Sequence, residues 1–421
     1  MATAGAAVGL GNIWKFPYIA GENGGGAFVL MYLVCILLFG IPVMIAEVML
    51  GKQGRDNPIH AMLKHSRAVG SGKFWSIIGI AGVAAGAMIL MYYSVVAGWA
   101  LDYVLQSANG SYMNKPADQI AAGFGILYDD KERQLIWHSI FIVITGAIVA
   151  LGVTRGIGKA VDVLMPILFV LLLCLLFYAY RNGDFGAGLK FLFNADFSKL
   201  TAEAALIAMG HAFFTLSLGM GTVMVYGSYM PESASVPRAV LTVAFLDTLI
   251  ALVAGMTIFP IVFASGLVPG AGPGLLFETL PTAFAGMWQG NWVGTAFFVL
   301  VAIAALSSAI SLIEPGIAWL EKLGVKRVVA TAGLALLCWA GGVASTYSGA
   351  VFDSLDYLTS NIMLPLGGLL IAIFVGWVYG YTKTRKAMPQ VPTLVFNLLF
   401  VTIRFIAPIG VAIVFVNGLL G

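Results

Sequence analysis

Charge is what this sequence has least of. Of its 421 residues only 10% are Asp, Glu, Lys or Arg, against 60% that are hydrophobic, and the mean hydropathy is +0.96. So little charge cannot cover a water-facing surface, which excludes a soluble domain and leaves an integral membrane protein. Cysteine is scarce too. Cys35, Cys174 and Cys338 lie in separate apolar runs at no metal-ligand spacing, which excludes a disulfide framework and leaves them as packing residues. The basic residues sit in short loops rather than on one face, so a net charge of +3 gives no footprint for nucleic acid. No nucleophile–base pair or metal constellation stands out either, and an enzyme is not expected.

What is abundant is apolar runs of about 20 residues, each long enough to cross roughly 30 Å of hydrocarbon as a helix. Eleven are read: Met1–Ala20, Ala27–Leu50, Phe74–Leu105, Leu135–Leu151, Val161–Tyr180, Ala202–Ser228, Val236–Phe263, Trp292–Leu320, Val328–Ala344, Tyr357–Tyr381 and Val391–Leu420. Loops after the even-numbered spans carry fourteen Lys and Arg, and the opposite loops carry six. This bias predicts a cytoplasmic N-terminus and, with an odd span count, a C-terminus outside. The loop from Gln106 to Gln134 is expected to cap an outer vestibule without chemistry of its own. The Gly/Pro-rich stretch from Ser265 to Trp288 reads as a re-entrant or lid-like loop, or as a plain connector.

Two spans are interrupted. The first holds Gly9 and Gly11 with Asn12 behind them, and the sixth holds Phe213-Phe-Thr-Leu-Ser-Leu-Gly-Met-Gly-Thr222. Glycine costs about 1 kcal/mol relative to alanine inside a helix. In a bilayer, exposed backbone is tolerated only where it faces protein or a polar cavity. Close packing of a neighbouring helix also fits a pair of glycines, but paired breaks at matching places in two halves point to a central binding site in an inverted-repeat transporter. The fold expected is an all-α membrane protein of about 11 transmembrane helices, with two inverted five-helix repeats whose first and sixth helices are broken. It forms one domain over 1–421, divided as 1–181, 200–381 and an additional helix at 391–421.

Ionisable groups inside these spans are expensive and draw attention. Asp247, within the seventh span, needs a cation or a network of donors. Lys15 and Asp356 lie near the outer ends of spans one and ten, where they could pair or snorkel. His211 reads as a satisfied packing histidine or a proton carrier, and Arg404 has no evident role. In the eighth span Ala304, Ser307 and Ser308 fall on one face with Leu312; hydroxyls there bond back to their own helix or, with carbonyls, hold a hard cation. Tyr93, a turn after Ile89, offers a hydroxyl to the same region.

Gly9-Leu-Gly-Asn-Ile-Trp-Lys-Phe-Pro-Tyr18, Glu22-Asn-Gly-Gly-Gly-Ala-Phe28, Ala212-Phe-Phe-Thr-Leu-Ser-Leu-Gly-Met-Gly221 and Ala305-Leu-Ser-Ser308 together resemble the neurotransmitter:sodium symporter family, in its bacterial amino-acid branch. The resemblance runs the length of the chain. It implies a sodium-coupled symporter in the bacterial inner membrane, taking a small-molecule amino-acid substrate by alternating access in the lipid bilayer. It implies a first sodium held by the Ala7 carbonyl, the Asn12 amide oxygen, Thr215 and Asp247, and a second between carbonyls of Gly5, Val8 and Ala304 and hydroxyls of Ser307 and Ser308. The substrate carboxylate would meet the amides of Leu10 and Gly11 and the Tyr93 hydroxyl, where a half-helix N-terminus favours negative charge. Its ammonium would face carbonyls of Ala7, Phe214 and Thr215 and the Ser217 hydroxyl. Ser308 would border the same pocket, whose wall would be Val8, Ile89, Phe214, Met220 and Leu312, with Gly9 where monoamine carriers place an aspartate. That wall suits neutral, hydrophobic L-amino acids. Tyr93 and Phe214 resemble the family's lid, Lys15 and Asp356 its outer gate, and Gly156 and Pro166 its glycine-x9-proline hinge.

The chain departs from the family pattern in three ways. The cytoplasmic leader that closes the inner gate is absent, since Met1 falls inside the first span, which implies a misassigned start or a crippled gate. Asp247 replaces an asparagine at the first sodium position, so its charge is expected to stand in for chloride, which is then not required. No twelfth span follows, as in bacterial relatives. An ion channel and an amino-acid sensor without transport are the other classes the residues leave open.

Overall fold

Apolar runs longer than the bilayer is thick must satisfy their backbone internally, and here they do so as helices. A computed structural model describes residues 9–269 and 272–420. Among these the only departure from helix and loop is one isolated bridge, Gly25 to Ala195. In order the helices are α1 (11–22), α2 (Gly26–Gly54), α3 (Pro58–Ala68), α4 (Ile77–Ala108), α5 (Ala117–Asp129), α6 (Lys131–Ala150), α7 (Val153–Asn182), α8 (Phe185–Phe193), α9 (Ala202–Thr215), α10 (Thr222–Tyr229), α11 (Val236–Ala264), α12 (Leu275–Ala285), α13 (Gly290–Lys322), α14 (Arg327–Tyr347), α15 (Gly349–Ala387) and α16 (393–420). Nine of them are long and apolar enough to cross a bilayer. The α9 and α12 helices are apolar but shorter, and the first of the expected eleven spans lies partly outside the described residues.

Starts follow from capping residues. Asn57 Oδ1 accepts the His60 N–H (3.1 Å) ahead of α3, Asp130 Oδ1 the Arg133 N–H (3.0 Å) ahead of α6, and Thr201 Oγ1 the Ala204 N–H (3.1 Å) ahead of α9. The break after α9 is a property of residues 217–221: Ser217, Gly219 and Gly221 all take positive φ, at 55°, 73° and 73°, which no continuing helix allows. A freed amide there, that of Gly219, donates to Glu47 Oε2 of α2 (3.0 Å), deep in the protein.

The structure corrects several boundaries. Span five begins at Val153 rather than Val161, because residues 153–158 form one widened helical turn, in which the Ile157 N–H donates to Gly152 O (3.0 Å). The Gln106–Gln134 loop contains α5, whose Ile120 and Leu127 are buried and whose Phe124 stacks on Phe277 of α12 at 5.3 Å. The Ser265–Trp288 segment contains α12 and touches α1 through Trp14 Nε1, which donates to Gly272 O (3.1 Å).

Candidate functional site

The two breaks, α4 and α13 line a small central cavity. Of the expected substrate residues, Gly11, Ile89, Tyr93, Phe214, Thr215, Ser217, Met220, Ser308 and Leu312 all line it. Leu10 reaches it through its backbone, donating to Tyr93 Oη (3.3 Å). Ala7 and Val8, with Gly5, lie outside the described residues. Gly9, Thr222 and Ser311 complete the lining. At the floor Thr222 Oγ1 donates to Ser311 O (3.2 Å), and the Ser311 hydroxyl lies 2.9 Å from Tyr226 Oη. Ser311 was not among the expected residues, although its spacing of four and three from Ser307 and Ser308 places it on the same helical face. Thr222 and Tyr226, past the second break, carried no such signal.

Beside the cavity Asp247 is fully buried and accepts three hydrogen bonds, from Asn12 Nδ2 (2.7 Å) and Thr215 Oγ1 (2.8 Å) on Oδ1 and from Tyr32 Oη (3.3 Å) on Oδ2. Asn12 Nδ2 also meets Thr215 Oγ1 (3.1 Å) and Asp247 O (3.0 Å), while its Oδ1 accepts the Gly9 N–H (2.9 Å). Asn12, Thr215 and Asp247 are thus one cluster, drawn from three helices. The amide presents its nitrogen, not its oxygen, to the carboxylate. On α13, Ser307 Oγ donates to Ala304 O (2.9 Å), and Ser308 Oγ lies so close to Gly9 that a Cβ there would overlap it. The Ala304, Ser307 and Ser308 face therefore abuts the first break.

Comparison with known proteins decides what this arrangement belongs to. Residues 1–117 and 130–420 match the model of the sodium:neurotransmitter symporter family. An uncharacterized sodium-dependent transporter of Bacillus subtilis, YhdH, is 35% identical over 99% of the chain and 95% of its own length. A second, from Haemophilus influenzae, is 32% identical over 100% and 96%. The crystal structure of MhsT in complex with L-phenylalanine superposes with a TM-score of 0.92 at 41% identity, covering 99% of this chain and 97% of that one. The chain belongs to the sodium:neurotransmitter symporter family. It is a multi-pass, sodium-dependent transporter and not an enzyme.

Within this family member, a second small cavity lies next to the first, reaching Lys15 and Asp356. Tyr93 and Phe214 line both cavities and so form the wall between them. Lys15 Nζ pairs with Asp356 Oδ1 (3.5 Å) and lies over the Phe214 ring (4.6 Å to its centroid), which settles pairing over snorkelling. Ser360 braces the pair, donating to Asp356 Oδ1 (2.9 Å) and accepting from Lys15 Nζ (3.5 Å). His211 is not the hydrogen-bonded packing residue expected: among the described residues neither ring nitrogen has a hydrogen-bond partner, and the ring packs on Phe16 and Tyr32 at 6.0 and 5.3 Å. Pro166 lies inside α7, but Gly156 does more than loosen a helix end. A Cβ there would overlap Ile148 O and stand 3.0 Å from Leu151 Cβ, so Gly156 is where α7 rides over the end of α6.

Proposed function

We propose that this transporter imports neutral, hydrophobic L-amino acids with two sodium ions, without chloride, by alternating access around the central cavity. The observation that carries the reading is the cavity's polarity. Its walls, Ile89, Met220, Leu312 and the Phe214 ring, are apolar, no charged side chain lines it among the described residues, and its polar end is the broken backbone of α1 with Tyr93 and Ser308. An amino acid's charged ends suit the freed backbone, and its side chain the wall. The phenylalanine bound to MhsT supports an aromatic or large aliphatic side chain.

In this reading the first sodium is held by the Ala7 carbonyl, Asn12, Thr215 and Asp247. Asn12 turns its amide so that oxygen, not nitrogen, faces the ion. The second sodium is held by carbonyls of Gly5, Val8 and Ala304 and by Ser307 and Ser308. Leu10, Gly11, Tyr93 and Ser217 take the substrate's charged ends. Tyr93 and Phe214 are the lid, Lys15 and Asp356 the outer gate, and Gly156 with Pro166 the inner hinge. The domain is one unit over 1–421, in halves 1–181 and 200–381 with 391–421 beyond them. It sits in a bacterial inner membrane, N-terminus inside and C-terminus outside.

Proteoliposomes test this directly. A labelled amino-acid panel should accumulate only under an inward sodium gradient, with aromatic and large aliphatic members preferred and chloride replaceable by gluconate. Binding without accumulation would make the protein a sensor, and sodium current without substrate would make it a channel. Ser308→Ala should lower the Hill slope for sodium from about two toward one, because the second site loses a hydroxyl while the first is untouched. A wild-type slope in that variant would remove Ser308 from the ion site.

A further inference from the structure

Arg404 is a cation deep within an apolar span that the proposed transport site leaves unused. It lies inside α16, an apolar helix that carries no other charged residue. A charge at that depth needs compensation. Among the described residues no carboxylate lies within ion-pair distance of it, and its Nε is buried with no hydrogen-bond partner.

Its surroundings are nevertheless built for it. Gly376 of α15 makes room for the stem: a Cβ there would stand 2.8 Å from Arg404 Cα and 3.1 Å from its Cβ. The next residue, Trp377, donates its Nε1–H to Arg404 O (3.0 Å), and the guanidinium lies over that indole at 4.5 Å and over Phe405 at 5.4 Å. Both helices widen by a turn at this crossing, with the Gly380 N–H on Val375 O and the Ala407 N–H on Thr402 O. The Trp377 and Phe405 rings face outward, 54% and 41% exposed, onto the surface that lipid covers. Helical side chains tilt toward their own N-terminus. The guanidinium therefore leans toward the 393 end of α16, where Lys383, Arg385 and Lys386 mark the membrane boundary.

We propose that Arg404, held flat by Trp377, is a binding site for the phosphate of an anionic phospholipid in the leaflet at that end. The charge is positive and has no carboxylate partner among the described residues, and a stacked guanidinium leaves its edge free to grip a phosphate with two parallel N–H bonds. An anionic headgroup brings no cation of its own to compete, unlike phosphatidylcholine.

Native mass spectrometry of the full chain in mild detergent tests the site, comparing retained phosphatidylglycerol with phosphatidylcholine of the same acyl chains. Wild type should favour phosphatidylglycerol, and Arg404→Gln should lower that ratio by about fivefold. Trp377→Leu, which frees the guanidinium, should lower it as well. Sodium-dependent amino-acid binding checks that each variant is folded. Should Arg404→Gln not fold, Arg404→Lys is read instead, and a wild-type ratio there overturns the two-pronged grip. A wild-type ratio in Arg404→Gln or Trp377→Leu overturns the site. Equal retention of the two lipids by wild type, or displacement of phosphatidylglycerol by millimolar inorganic phosphate, overturns the assignment to an anionic lipid.

Discussion

Asp247→Asn is expected to raise the sodium concentration that half-saturates uptake about tenfold or more in chloride-free buffer, and added chloride should recover part of the loss. Asp247 is buried and its carboxylate carries Asn12, Thr215 and Tyr32 as donors. Its position beside the cavity makes it the only fixed negative charge in the proposed first ion site. At about 4 Å and an effective dielectric near 20, a unit charge attracts sodium by about 4 kcal/mol. An asparagine keeps an oxygen at that place but only as a dipole, so part of the attraction survives. A net loss of about 1.4–2.8 kcal/mol, or one to two decades in affinity, is what remains. The fold should tolerate the change, because asparagine has nearly the same volume, its oxygen in the Oδ1 place still accepts from Asn12 and Thr215, and its NH2 in the Oδ2 place can donate to the Tyr32 hydroxyl. Uptake in sodium gluconate against sodium chloride reads both effects at once. Sodium affinity that stays at the wild-type value in gluconate would remove Asp247 from the ion site.

How far such a site can be read without coordinates depends on whether its residues announce themselves locally. Gly9, Gly11 and Asn12 do, since glycine and a polar amide contradict an apolar helix, and so does Asp247, a carboxylate amid Leu, Ile and Val. Ser307 and Ser308 are legible through helical spacing, and Lys15 and Asp356 through opposite charge at two helix ends that meet at 3.5 Å. Tyr32 is not legible, because a tyrosine in an apolar span has no partner until α2 and α11 are packed and its hydroxyl comes to Asp247. The direction of the Asn12 amide is also invisible, being set by the Gly9 N–H on one side and a carboxylate from α11 on the other.

Gly156 marks a different limit. Its sequence context suggests flexibility, whereas its neighbour across space, Ile148 O, makes it a packing requirement. Helix α5 was missed because its 13 residues, though mostly apolar, are too few to read as a membrane span and include two glycines beside Ile120, Phe124 and Leu127. Only packing against Trp99 and Phe277 explains their spacing.

Gly9→Ala should reduce uptake of every substrate by about a hundredfold, and a second substitution should partly undo it. The added methyl would overlap Ser308 Oγ, stand 3.2 Å from Ser308 Cβ and 3.4 Å from Tyr93 Oη. Residue 9 cannot retreat cheaply. Its N–H is held by Asn12 Oδ1 (2.9 Å), its carbonyl by the Asn12 amide (3.2 Å), and the next amide by Tyr93 Oη (3.3 Å). Ser308 must therefore turn away, which takes a hydroxyl from the polar end of the cavity and from the proposed second ion site together. Overpacking costs about 1–3 kcal/mol and a lost hydrogen-bonding partner about 1 kcal/mol, and their sum is of the order of two decades in binding. In Gly9→Ala combined with Ser308→Ala the overlapped oxygen is gone, and the remaining contacts at 3.2 and 3.4 Å are tight but bearable. That double variant should bind labelled phenylalanine about tenfold better than Gly9→Ala alone, while its sodium Hill slope stays near that of Ser308→Ala. A double variant no better than the single would mean the loss comes from the bent backbone rather than the clash. Wild-type uptake in Gly9→Ala would mean the first break does not border the cavity at all.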